Sequence, residues 1–174
     1  MFNVDGVNVL LRKVTLRIDK DDDDEQVRAC DCTFRVPVLD WTLADQIRLG
    51  ITQHCFGKDK LPLWGIHEVK FQPPEDRYTV TLQQAPDVEL ATLELATLER
   101  VRVWRVNDER RDLSLEFVTR HQLQRGDAKD LAALLTAWEV GSLQLSLLTV
   151  QIPLGFSEAD DASTPKASTR RGMH

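Results

Sequence analysis

The sequence predicts an α+β protein, an antiparallel β-sheet built from hairpins with two amphipathic helices packed on it. Three observations predict this class. Apolar residues recur at every second position in several short stretches, as half-buried strands require. Twice that period changes to steps of three and four, as a helix with one apolar face requires. Clusters of Gly, Pro, Asn and Asp separate the stretches.

Residues 1–8 read as a short lead-in containing Gly6. Leu11 to Ile18 is β-branched and charged, which suits a pleated strand, and Asp19 to Glu25 is its turn. Cys30, Cys32, Phe34 and Val36 then alternate with Asp31, Thr33 and Arg35. Asp40 stands where a helix cap is needed, and Thr42 to Asp45 has capping-box spacing. Ala44, Ile47, Ile51 and Cys55 form one helical stripe, with Gly57 as the stop. After a linker with Pro62, Trp64 to Phe71 reads as a strand. Pro73-Pro-Glu-Asp76 reads as a turn, and Tyr78, Val80 and Leu82 as the return strand of a second hairpin.

Glu89-Leu-Ala-Thr-Leu93 repeats at once as Glu94-Leu-Ala-Thr-Leu98. A helix capped by Asp87 would place Val88, Ala91, Leu95 and Leu98 on one face, whereas the short span between two strands favours an extended chain. Leu98 to Val106 is the next strand, Asn107 to Asp112 a polar turn, and Leu113, Leu115 and Phe117 alternate beyond it. Gly126-Asp127 ends this strand and caps a helix whose stripe is Leu131, Leu134, Leu135 and Trp138, stopped by Gly141. Ser142 to Ile152 reads as a closing strand, apolar on both faces, and Pro153 ends it. Residues 157–174 are small, polar and charged, the composition of a disordered tail.

Leu11–Ile18 lines up with Leu98–Arg105, Asp40 with Asp127, and the two helical stripes with each other. This is the pattern of an internal β-β-α-β duplication. Residue identity between the copies is low, so two common β-β-α units would give the same pattern by chance. The division is 1–86 for a first unit with an extra hairpin, 87–156 for a second, and 157–174 for the tail.

A chain of 174 residues has enough surface to bury for a core without staples. Its net charge of −6 disfavours a general nucleic-acid or anionic-membrane binder, and no stretch reaches the ~20 apolar residues of a membrane span. Three cysteines, an odd count, and no secretory leader fit a cytoplasmic protein with free thiols.

No motif carries chemistry. Asp21 to Glu25 lacks the alternating ligands, central Gly and twelfth-position Glu of a calcium loop, and reads as a solvated tip. Cys30-x-Cys32, with His54 and Cys55, offers zinc-ligand types without knuckle spacing, and such cysteines read as core. His67, His121 and His174 flank no nucleophile in a recognised motif. No catalytic, cofactor-binding or metal residue is therefore assigned, and the chain is expected not to be an enzyme.

The candidate contact patch is Arg100, Arg102, Trp104, Arg105 and Arg120. Arginine beside an aromatic on a sheet suits stacking on bases and pairing with phosphates. The nearby Glu99, Asp108, Glu109, Asp112 and Glu116 favour cross-strand ion pairs instead. The expected function is a non-catalytic binding or assembly module that meets a protein partner or itself through sheet edges or this hairpin. The alternatives are a single-stranded nucleic-acid-binding accessory protein and a small enzyme or metal-binding protein; no membrane partner is expected.

Overall fold

One long strand, β5 (Val88–Asn107), determines how the chain closes. The structure, a computed structural model, describes residues 2–20, 26–85, 88–107, 112–123 and 128–150. Within them the order is β1 (Val4–Lys20), β2 (Gln26–Val36), α1 (Trp41–Ile47), α2 (Ile51–Cys55), β3 (Glu68–Phe71), β4 (Arg77–Ala85), β5, β6 (Asp112–Gln122), α3 (Ala128–Val140) and β7 (Ser142–Thr149). The molecule is mostly antiparallel sheet with a few short helices.

The strands run β3-β5-β4-β7-β1-β2-β6, and β6 pairs back to β5. Six strands thus close on themselves as a barrel, with β3 added at the side of β5. Closure is possible because β5 changes partner midway: residues 88–97 pair with β4, and residues 97–107 pair with β6. Strand β1 does the same, pairing with β7 over residues 4–10 and with β2 over residues 10–20. The remaining pairs are β2 with β6 and β4 with β7. This set of pairings is unchanged when β1, β2 and β4 are exchanged with β5, β6 and β7. The stretches 1–86 and 87–156 therefore supply strands to one shared sheet.

Bulges produce the required bends. Strand β1 shifts register between Leu11 and Lys13, and β5 between Leu98 and Arg100. Each also bends nearer its start: β1 between Val4 and Val7, where Gly6 has φ 60°, and β5 between Leu93 and Ala96, where Leu95 has φ 56°. Glycine takes that left-handed conformation freely; Leu95 takes it against the clash of its Cβ.

Interior positions alternate along each strand. Phe34, Val80, Leu82, Val101, Val103, Leu115, Leu143 and Leu145 are all fully buried. Phe117 sits among them, its ring 5.4 Å from Phe2 and 5.5 Å from Phe34, its direct cross-strand partner. The Tyr78 ring is buried too, and burial, with the Asp76 carboxylate beside its hydroxyl, pushes its pKa up to about 12.

Several expectations need correction. Residues 4–8 are not a lead-in but the start of β1. Of the two forms open to the segment around 88–97, the chain takes the extended one that its short span between strands favours. The first helix is not continuous: Arg48 at φ 64° and Gly50 at φ 71° break it into α1 and α2. Its stripe survives the break, since Ala44, Ile47, Ile51 and Cys55 all reach full burial. The cap is Asp40, whose Oδ1 accepts from Leu43 N at 2.8 Å. The second hairpin does not form. Strand β3 covers only Glu68–Phe71 and pairs with β5, because β4 is taken by β5 on one side and β7 on the other. Helix α3 packs on β5 and β1. In its stripe Leu134 is buried and Leu131 half-buried, but Leu135 is 47% exposed, so the packed face is narrower than the spacing implies. Strand β7 turns Leu143, Leu145 and Leu147 inward and leaves Leu148 half-exposed. The Asp127 cap, the side chain of Trp138, Ile152 and the tail at 157–174 lie outside the described residues.

Phe117 is the test of this interior. Phe117→Ala should destabilise the chain by about 3–5 kcal/mol in urea unfolding, as for buried aromatics generally. A cost under about 1 kcal/mol would mean that Phe117 is not packed as described.

Candidate functional site

The outer wall of the barrel carries its polar chemistry. Val101 and Val103 point inward, so Arg100, Arg102 and Trp104 point out. The register sets one row across four strands: Lys70 on β3 opposite Arg102, Arg102 opposite Glu116 on β6, and Glu116 opposite Arg35 on β2. Glu116 is only 5% exposed. A carboxylate so buried needs compensation, which Arg102 supplies through Nε at 2.8 Å and Nη2 at 2.6 Å. Arg100 at 3.9 Å and Arg35 at 4.0 Å stand further off. Arg102 also reaches Glu68 at 3.2 Å. Burial alone would lower the Arg102 pKa; the hydrogen bonds and charges of Glu116 and Glu68 outweigh it and hold the pKa above the ordinary arginine value.

Trp104 lies in the next row, opposite Glu68 on β3 and Ser114 on β6. The guanidinium carbon of Arg35 is 4.6 Å from its ring centroid and that of Arg102 is 5.1 Å, both within cation–π range. Arg35 and Arg102 thus flank one indole, and Arg100 and Lys70 join the same outer face through Glu116 and Glu68.

The other two candidate residues serve different places. Arg105 donates from Nε to Ile66 O at 2.8 Å and from Nη2 to Trp64 O at 2.9 Å and Leu63 O at 2.5 Å. Its own amide bonds His67 O, so it holds the 63–67 loop against β5. Arg120 forms a separate cluster, at 2.9 Å from Asp31, 3.0 Å from Glu99 and 3.5 Å from Asp19. There too burial works against the charge and is outweighed, by Asp31 first and then Glu99 and Asp19, so the pKa is raised. Of the five candidates, Arg100, Arg102 and Trp104 share a surface. Arg35, also part of it, was absent from the sequence reading because it comes from β2, far away in the chain. Arg110, Arg111 and Arg125 lie outside the described residues, as does the acidic run Asp21 to Glu25.

The thiols sit in the interior. Cys30 and Cys32 place their Sγ atoms 3.4 Å apart on the inner face of β2. Their shared hydrogen bond lowers the Cys30 pKa and raises that of Cys32. Burial pushes the Cys55 thiol up to about 11. His121 is buried opposite Cys30, His67 is exposed, and His54 lies 6.0 Å from the Phe71 ring. Among the described residues, no three His, Cys, Asp or Glu side chains group as metal ligands.

A second surface is apolar. Leu16, Arg17, Ile18, Arg28, Ala29, Leu123 and Leu131 line a groove of about 470 Å³ between the far end of the β1–β2 hairpin and α3. Leu16 is 58% and Ile18 68% exposed, although both lie on the face of β1 that turns inward elsewhere. The alternation of Leu16 and Ile18 was visible in the sequence, but not that their inward face would be left uncovered.

No family model matches the chain, and neither a curated protein nor a solved structure does. Among the described residues, no helix is long and apolar enough to cross a membrane.

The Glu116 cluster separates two kinds of arginine. Arg102→Ala leaves a buried carboxylate short of its main donor and should cost about 1–3 kcal/mol. Arg100→Ala, at a half-exposed guanidinium 3.9 Å away, should stay within about 0.5 kcal/mol. Equal costs in parallel urea titrations would contradict the arrangement.

Proposed function

We propose that the chain is a non-catalytic binding module that docks a protein strand along the open edge of its sheet. One observation carries this reading. Beyond Leu10, one edge of β1 has no strand partner among the described residues, while Leu16 and Ile18 stand exposed beside it. An unpaired row of backbone donors and acceptors is a template for strand addition, and adjacent apolar side chains add affinity. The outer edge of β3 is also unpaired among the described residues, but it is four residues long and carries exposed Glu68 and Lys70, features that blunt an edge. We read the pairing exchange between the two halves as an internal β-β-α-β duplication, which would account for two long strands that both switch partner.

The test is association of the full chain. Light scattering across a micromolar range, or recovery of a co-purifying protein, should reveal a complex that Leu16→Asp with Ile18→Asp removes. A strictly monomeric chain with no co-purifying partner would sink the reading.

A second reading rests on the Trp104 surface, where Arg35 and Arg102 flank the ring and Arg100 and Lys70 lie on the same face beside Glu116 and Glu68. That arrangement suits a single-stranded nucleic acid, with phosphate on guanidinium and base on indole. It predicts that oligothymidine binds at low salt, weakens steeply as salt rises, and loses affinity in Arg100→Ala. Arg100 is the residue to change because Arg102 holds Glu116 and Arg105 holds the 63–67 loop. No binding at low salt would remove this reading.

A further inference from the structure

The two halves of the barrel treat equivalent strands differently. Superimposing β1 on β5 at their bulges, Leu11 on Leu98, places Val14 on Val101, Leu16 on Val103 and Ile18 on Arg105. Val101 and Val103 are fully buried, whereas Val14 is half-buried and Leu16 is 58% exposed. The difference has an identifiable source. Between α2 and β4 the chain spends residues 56–76, which include β3 and the loop held by Arg105. Between α3 and β7 it spends Gly141 alone. Strand β3 covers the edge of β5 at residues 101–104, and no described segment does this for β1 at residues 14–17.

We propose that the far half of β1 takes up an extended segment of a partner protein, apolar at alternate positions and acidic between them, where β3 lies on β5. The inference rests on the docking reading above and specifies its occupant. The template is within the molecule. On β3, Val69 and Phe71 pack against the core, while Glu68 and Lys70 alternate with them on the outer face, and Glu68 is the one that bonds Arg102 of β5. On β1 the apolar counterpart is the groove of Leu16, Ile18, Leu123 and Leu131; Arg17, on the outer face and 3.4 Å from Asp31, and Arg28, on the face of its partner Ile18, are the cations that line it. A second copy of this chain, pairing antiparallel about Leu16, would set Arg12 against Lys20 and Lys13 against Asp19, and would offer Arg17 only Thr15 where an acidic segment offers a carboxylate.

The probe is a fluorescein-labelled peptide with the sequence of Ile66–Gln72, added to the full chain and followed by anisotropy. It should bind, and Leu16→Asp with Ile18→Asp in the protein should weaken it about tenfold or more, with an unchanged thermal midpoint as the folding control. If the double variant is unfolded, Ile18→Asp alone serves. Peptides carrying Val69→Ser with Phe71→Ser, or Glu68→Lys, should each bind less tightly. Binding indifferent to the protein variants would mean displacement of β3 rather than occupation of β1, and would overturn the proposal. Equal binding of the Glu68→Lys peptide would overturn its acidic character. If no peptide binds but a self-association sensitive to Ile18→Asp is seen, this occupant is wrong and edge docking stands. If both are absent, both fall.

Discussion

Two strands that each change partner along their length hold the molecule together. A flat antiparallel sheet of six strands would leave two edges in water, each with a row of unsatisfied backbone groups. Here β1 and β5 bend at bulges, so that the first half of each belongs to one side of the barrel and the second half to the other. Leu95 is held at a positive φ within the bend of β5. Such strain is tolerated where surrounding pairing over-determines the backbone, as the ladders to β4 and β6 do.

Closure also explains the outer wall. Strand β6 is buried on both faces from Leu113 to Thr119, although no described helix packs closely on it. Its outer face is covered by side chains instead. Ser114 Oγ donates to Val36 O at 2.7 Å, and Glu116 lies beneath three guanidinium groups. The long stems of arginine shield the strand while their heads stay wet. Charge on this sheet thus supplies cover.

What was legible in the sequence was local. Period-two stretches located most strands, and the stripe Ala44, Ile47, Ile51, Cys55 identified four buried residues although the helix that carries them is broken. What was not legible was the choice of partners. Alternation states which face of a strand is buried and is silent on which strand lies beside it, so β3 was joined to β4 rather than to β5. The same limit hid the Trp104 surface in part: Arg35 reaches it only through the β2–β6 register. Arg105 and Arg120 resemble Arg102 in the sequence, but carbonyls of a distant loop and three carboxylates claim them.

The pairing of β1 with β7 has a consequence for how the chain acquires its shape. Val4 meets Leu147, so the ring cannot shut until nearly the whole described chain has left the ribosome. Until then the β1–β2 hairpin must wait with Cys30, Cys32 and Phe34 uncovered. A topology dominated by such distant pairings folds slowly and exposes sticky surface meanwhile. Synthesis of this barrel therefore leaves its ring open until residue 147 has been added.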